Sequence, residues 1–354
     1  MESVFPIVPF QEALTMKKAT LFVLAVFMTA VFSSCTPATG VKSGAAAGEA
    51  LIKMFPKSST GVIGLDVQRL MGTEAVAKAL QEPKAKEKYD EFVKMSGIDP
   101  MKDISYVGIG GYGALSAPAF EGGAIISLKY DKAKLQSLIK EKAPESKEEL
   151  YNGVTVYSNI DGTGKAKQTT RAAFLDAGHI IIGSEQGVKA IIDVHQKKAE
   201  SLAKNADMTG ILKKVDKSGL LWGAFTVSPE LIKKGVAANP QLKVLEGITG
   251  VILSYDDKLN NVVADIRTVG GTKEQNANLA STLNGFKAMG AMFAAKEPVV
   301  GEFLNGISIT SGEDFTDLKI NLSRETMVKI GELARSKAGD FMKPKKEAAP
   351  EEKK

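Results

Sequence analysis

Tyr151-Asn152-Gly153-Val154-Thr155-Val156-Tyr157-Ser158 and Leu304-Asn305-Gly306-Ile307-Ser308-Ile309-Thr310-Ser311 are one pattern written twice in the same chain. Each carries Asn-Gly after its first residue. Each continues in β-branched and aromatic residues that alternate across a pleated surface. Both therefore predict a strand, and their recurrence predicts that the flanking elements recur as well.

Upstream of the first copy, residues 60–67 read as a strand, followed by a helical stretch from Thr73 that Pro83 divides. Tyr89, Phe92 and Val93 give the second piece one apolar face, and Gly97 with Pro100 ends it. Residues 104–111 and 123–130 predict a hairpin. Asp131 then caps a helix striped by Leu135, Leu138 and Ile139, and residues 153–158 supply a closing strand. The second half follows the same order: strand 220–227, a helix capped by Ser228 ahead of Pro229, hairpin 250–256 with 261–269, a helix behind the Thr272/Gln275 capping box, and strand 306–311.

The order β-α-β-β-α-β is that of a ferredoxin-like split unit. The expected fold is α+β: two tandem ferredoxin-like modules with antiparallel sheets, residues 51–200 and 208–340, arisen by internal duplication. Each half also closes with a strand and a helix, 179–183 into 184–194 and 317–321 into 323–334. The first half holds an additional strand, 171–175. Either that strand was inserted or the two Asn-Gly motifs are paired one element out of step.

From Met16 the chain reads Met-Lys-Lys, an apolar run over residues 19–32, then Ser33-Ser34-Cys35-Thr36-Pro37. A positive start, an apolar stretch and small residues at a cut site are the order of a secretory signal. The run has fourteen members, whereas about twenty residues are needed to cross ~30 Å of hydrocarbon, so removal is expected rather than spanning. Residues 1–15 fit no part of a signal, and Met16 is the better start, with Met1 the alternative.

The segment Val31-Phe32-Ser33-Ser34-Cys35 resembles the lipobox of bacterial lipoproteins, with Phe32 where that family prefers an aliphatic residue. The resemblance implies a signal over 1–34 and a lipidated Cys35 as the new N-terminus. It also implies a membrane partner held through acyl chains; Thr36, where an aspartate would retain the protein at the inner membrane, favours the outer membrane. Residues 35–50 are rich in Gly, Ala, Ser and Thr and read as a flexible tether. Residues 341–354 read as a disordered charged tail.

The net charge of +5 is weak, and the lysines are interspersed with acids, so no concentrated basic face for nucleic acid is expected. A single cysteine excludes an internal disulfide and a thiol metal cluster.

Candidate sites are few. Gly108-Ile109-Gly110-Gly111-Tyr112-Gly113 has the spacing of a dinucleotide fingerprint, but Leu115-Ser116-Ala117-Pro118 cannot open the helix that must receive the pyrophosphate. Gly162-Thr163-Gly164-Lys165 lacks both the first glycine and the hydroxyl of a phosphate loop. His179 and His195 have no partner at ligand spacing, and His195 continues the stripe Val188, Ile191, Ile192. Ser184 sits one residue early for a nucleophile elbow and reads as a helix cap. Asp256-Asp257 reads as turn chemistry. Phe286, Met289, Met292 and Phe293 form the most lipid-like or partner-like surface available, but core packing is the default reading of such a row.

Gly97-Ile98-Asp99-Pro100-Met101-Lys102-Asp103-Ile104 resembles a connection in uncharacterised exported bacterial proteins built of repeated α+β modules, a family with no activity to lend. No catalytic, cofactor-binding or metal residue is expected. The expectation is a lipid-anchored envelope protein that binds or scaffolds an envelope protein, peptide, glycan or lipid. The alternative is an envelope hydrolase whose site is assembled from distant residues.

Overall fold

The computed structural model describes residues 44–112, 121–160, 170–258, 260–295 and 297–341. The expected signal, Cys35, most of the tether, the Gly162–Lys165 segment, the Leu115–Pro118 segment and the charged tail past residue 341 lie outside the described residues. The chain divides into two compact units, one up to Phe225 and one from Thr226. The architecture is α+β, built on antiparallel sheet with several helices.

In the first unit, α1 (Ala45–Ile52) starts earlier than the composition suggested, so the end of the presumed tether is helical. Asp66 fixes that start. Its carboxylate accepts from the Gly44 amide at 2.8 Å and, as a helix cap, from the Arg69 amide at 3.0 Å. Strand β1 (Gly61–Asp66) leads into α2 (Val67–Met71), α3 (Glu74–Ala79) and α4 (Pro83–Ser96), which ends at Gly97 with φ 74°. The hairpin β2 (Ile104–Tyr112) and β3 (Glu121–Leu128) follows, then α5 (Lys132–Lys142), capped by Asp131 as expected.

The first Asn-Gly motif is a hairpin turn between β4 (Lys147–Tyr151) and β5 (Val154–Ser158), with Asn152 at φ 48° and Gly153 at φ 80°. Strand β4 is polar and was not anticipated. Next come β6 (Arg171–Asp176), β7 (His179–Gly183), α6 (Glu185–His195) and α7 (Ala206–Leu212). Strand β8 (Leu221–Thr226), expected to open the second module, instead pairs antiparallel with β1. The sheet runs β8-β1-β2-β3-β7-β6-β5-β4, every pairing antiparallel.

Its core is set by glycines facing aromatics. Trp222 and Tyr106 are fully buried and joined by the indole N–H donating to the phenol oxygen. Gly64 lies under the indole where a Cβ would come within 2.4 Å of it. Gly108 and Gly110 lie under Phe55, where a Cβ on Gly110 would approach the ring to 2.7 Å. Gly108 and Gly110 of the supposed fingerprint thus make room for a core phenylalanine. On α6, Val188, Ile191 and Ile192 are buried, and Ser184 caps the helix by accepting from the Gly187 amide at 3.1 Å.

In the second unit, α8 (Pro229–Ala238) is capped by Ser228, and β9 (Ile248–Asp257) and β10 (Asn261–Gly270) form the expected hairpin. The capping box Thr272/Gln275 opens α9 (Lys273–Ala294). A helix not anticipated from sequence, α10 (Pro298–Asn305), places the second Asn-Gly motif at a helix end that feeds β11 (Ile307–Ser311). Strand β12 (Thr316–Ser323) and α11 (Arg324–Phe341) complete the unit, whose strands lie in the order β11-β12-β10-β9.

Candidate functional site

Helix α9 is held at its start and bare toward its end. Asn276, Leu279 and Ala280 are buried. The Asn276 amide donates to the Gly270 carbonyl at 3.1 Å, and the Thr316 hydroxyl donates back to the Asn276 carbonyl at 3.1 Å. Farther along, Lys287 Nζ donates to the Ile307 carbonyl at 2.5 Å, and Gly290 lets Leu304 of α10 approach closely. These contacts take up one side of the helix. The other side carries Phe286, Met289, Met292 and Phe293, which are 56, 54, 78 and 64% exposed. Residues 288–295 contain no charged side chain. Core packing, the default reading of this row from sequence, is therefore corrected: the four side chains stand in solvent rather than in the core.

A second arrangement was missed. The turn between β6 and β7 folds Asp176 back so that its carboxylate accepts from the Gly178 amide at 2.8 Å, and His179 Nδ1 lies 2.8 and 3.0 Å from its two oxygens. His195, at the end of α6, brings Nδ1 to 4.0 Å from the same carboxylate. Both histidines thus have an acidic partner, contrary to the reading from spacing. The available signal was the Asp-Ala-Gly-His string, in which a two-residue turn returns the fourth residue to the first. Burial raises the Asp176 pKa, but the Gly178 amide, the His179 hydrogen bond and the charges of both histidines outweigh it and hold the carboxyl below its ordinary range.

Asp176 also borders a cleft of about 500 Å³ with Tyr130, Lys132, Thr155, Phe174 and Gln196. Tyr130 stacks on Phe174 at 5.6 Å and donates its hydroxyl to the Asp176 carbonyl. Among the described residues, no Ser or Thr hydroxyl bonds to either imidazole, and no three His, Cys, Asp or Glu side chains are grouped to hold a metal ion.

Two ion-pair clusters mark the second unit's sheet. Asp257, which the sequence placed in a simple turn, is 2% exposed and pairs with Arg324. On β12, Asp317 is 3% exposed and meets Arg267 at 2.9 Å and Lys319 at 3.2 Å. Asp265 of β10, paired with Lys319, lies on the same face of the sheet, and its buried Oδ1 has no hydrogen-bond partner. No helix among the described residues is long and apolar enough to cross a membrane.

No protein-family model and no curated protein matches the chain. Solved structures similar to it include three crystal forms of TP0453. Form III has a TM-score of 0.45 at 11% identity, covering 78% of this chain and 95% of that one. Form I has a TM-score of 0.43 at 11% identity, covering 80% and 97%. Form IV has a TM-score of 0.41 at 10% identity, covering 79% and 95%.

Proposed function

We propose that the chain is a lipid-anchored protein of the bacterial cell envelope that binds or scaffolds rather than catalyses. In this reading a lipobox-type signal is removed, acyl chains on Cys35 hold the body at the periplasmic face of the outer membrane, and the two units descend from one duplicated ferredoxin-like β-α-β-β-α-β module. The α9 row is the docking face, and its partner is an apolar segment of another envelope protein.

The observation that carries this is the exposure of Phe286, Met289, Met292 and Phe293 together on one helix. Burying one such side chain is worth about 1.5–3 kcal/mol, so a row left in solvent is a standing incentive to associate. Methionine, unbranched and polarisable, suits a face that adapts to a protein partner.

The test is photo-cross-linking in the native host from a reactive residue placed at position 292, with Cys35→Ser as the release control. The expected result is a discrete envelope-protein adduct that Phe286→Glu abolishes and that weakens when Cys35→Ser frees the body from the membrane. Absence of any adduct, or one indifferent to Phe286→Glu, would remove this reading. Labelling of the same preparation by a serine-directed probe would favour the envelope hydrolase instead.

A further inference from the structure

The strand orders of the two units each end on a free edge, and the two edges are built differently. Strand β4 closes the first unit's order with the sequence Lys-Glu-Glu-Leu-Tyr. Strand β11 closes the second unit's order with Ile-Ser-Ile-Thr-Ser, which carries no charge at all. A free edge offers a row of unpaired amides and carbonyls to any passing strand, and proteins commonly guard such edges with charge. The first edge is guarded in this way and the second is not.

On β11 every residue pairs inward with β12, from Ile307 against Ile320 to Ser311 against Thr316. Outward, among the described residues, only the Ile307 carbonyl is met, by Lys287 Nζ. Ser308, Thr310 and Ser311 are exposed. The backbone of the strand is therefore presented, and its side chains are those with high strand propensity.

Self-pairing separates the two edges sharply. Antiparallel pairing of β4 with its own copy about Glu149 would set Glu149 against Glu149, like charges directly opposite, which is destabilising. The same operation on β11 about Ile309 sets Ile309 against Ile309, Ser308 against Thr310, and Ile307 against Ser311. The first is an aliphatic pair and the second a hydroxyl pair, both favourable across an antiparallel ladder, and the third sets no like charges together. A two-fold axis makes such an interface closed and isologous.

We propose that β11 is a homodimerisation edge, on which a second copy of this chain adds its own β11 antiparallel, centred on Ile309. The contact is independent of the α9 row and uses main-chain hydrogen bonds rather than apolar burial. A five-residue strand makes a small interface, so the dimer is weak and concentration-dependent.

Sedimentation velocity of the full chain in detergent tests this, at up to about 100 μM, where an interface at the small end of the size range is populated. Ser308 opposes Thr310 of the other copy, so Ser308→Lys with Thr310→Lys sets lysine against lysine, and Ser308→Glu with Thr310→Lys sets glutamate against lysine while also meeting Lys319 and Asp317 of β12 with opposite charges. The expected result is a wild-type dimer, a dissociation constant raised at least ~10-fold by the lysine pair, and recovery in the lysine–glutamate pair. Within the fold Ser308 pairs with Lys319 and Thr310 with Asp317; Thr310→Lys is common to both variants and Ser308→Glu meets an opposite charge, and circular-dichroism melts of both variants check that each is folded. A monomeric wild type, a dimer indifferent to the lysine pair, or loss in both variants would overturn the proposal. Phe286→Glu leaves sedimentation unchanged, which separates this interface from the docking face on α9.

Discussion

At the scale of single residues, the glycines carry more of the fold than their chemistry suggests. Gly110 sits in the middle of a strand, where alanine would ordinarily be the better residue, yet a Cβ there would lie 2.7 Å from the ring of fully buried Phe55. We expect Gly110→Ala to destabilise the protein by about 1–3 kcal/mol, the usual cost of overpacking a close-packed core. A urea melt with unchanged or higher midpoint would show that the ring can move aside. The glycine pattern was legible in the sequence as a packing device, because a dinucleotide loop needs a helix directly after it. Its partner was not, since Phe55 reaches Gly110 only through the fold. Cys35 remains a reading of the sequence alone. Asp176 was hidden for a simpler reason: its role depends on a turn of two residues that reverses the chain between it and His179.

At the scale of elements, caps and hairpins were readable because they are local. Thr272 with Gln275, Ser228 ahead of Pro229, Asp131 and Ser184 each satisfy free amides within a few residues of themselves, and all four act as caps. Strand β4 escaped notice because an edge strand open to solvent needs no apolar alternation. The two Asn-Gly motifs looked equivalent, but one makes a left-handed hairpin turn and the other ends a helix. Identical short sequences take different conformations when their neighbours differ.

The pairing of β10 with β12 also yields a pH prediction. Burial, then the hydrogen bond and charge of Asp317, push Asp265 up to about 7. Asp317 is raised by burial, but hydrogen bonds from Asp265, Arg267 and Lys319 outweigh this and hold it low. A carboxyl that binds its proton more tightly when folded contributes stability in full below its unfolded pKa of ~3.9, and that contribution is lost as pH rises through the folded value. For Asp317 the sign reverses: its contribution is present above ~3.9 and lost as pH falls toward its lowered value. Stability from this pair is therefore greatest in mildly acidic solution and declines toward neutral and alkaline pH. Asp265→Asn, which keeps a donor to Asp317 without a titrating proton, should flatten the decline. Thermal melts across that range would count against this account if the variant declined as steeply as the wild type.

At the scale of the whole molecule, the α+β class was legible in the mixture of helical and strand patterns, but the partnership of β8 was not. Strand β8 was expected to begin the second module because it opens the second run of the repeated order, yet five of its six residues, Leu221 to Phe225, pair with β1. Strand partnership across a long stretch of chain is settled by packing, and the buried Trp222 on β8 has its hydrogen-bond partner on β2. That indole is the only tryptophan in the chain, and it has no solvent exposure. Its fluorescence is consequently a private optical channel: red-shifted emission during denaturation announces that water has reached the interior beneath β1, β2 and β8, and unfolding curves recorded this way belong to the first unit's core.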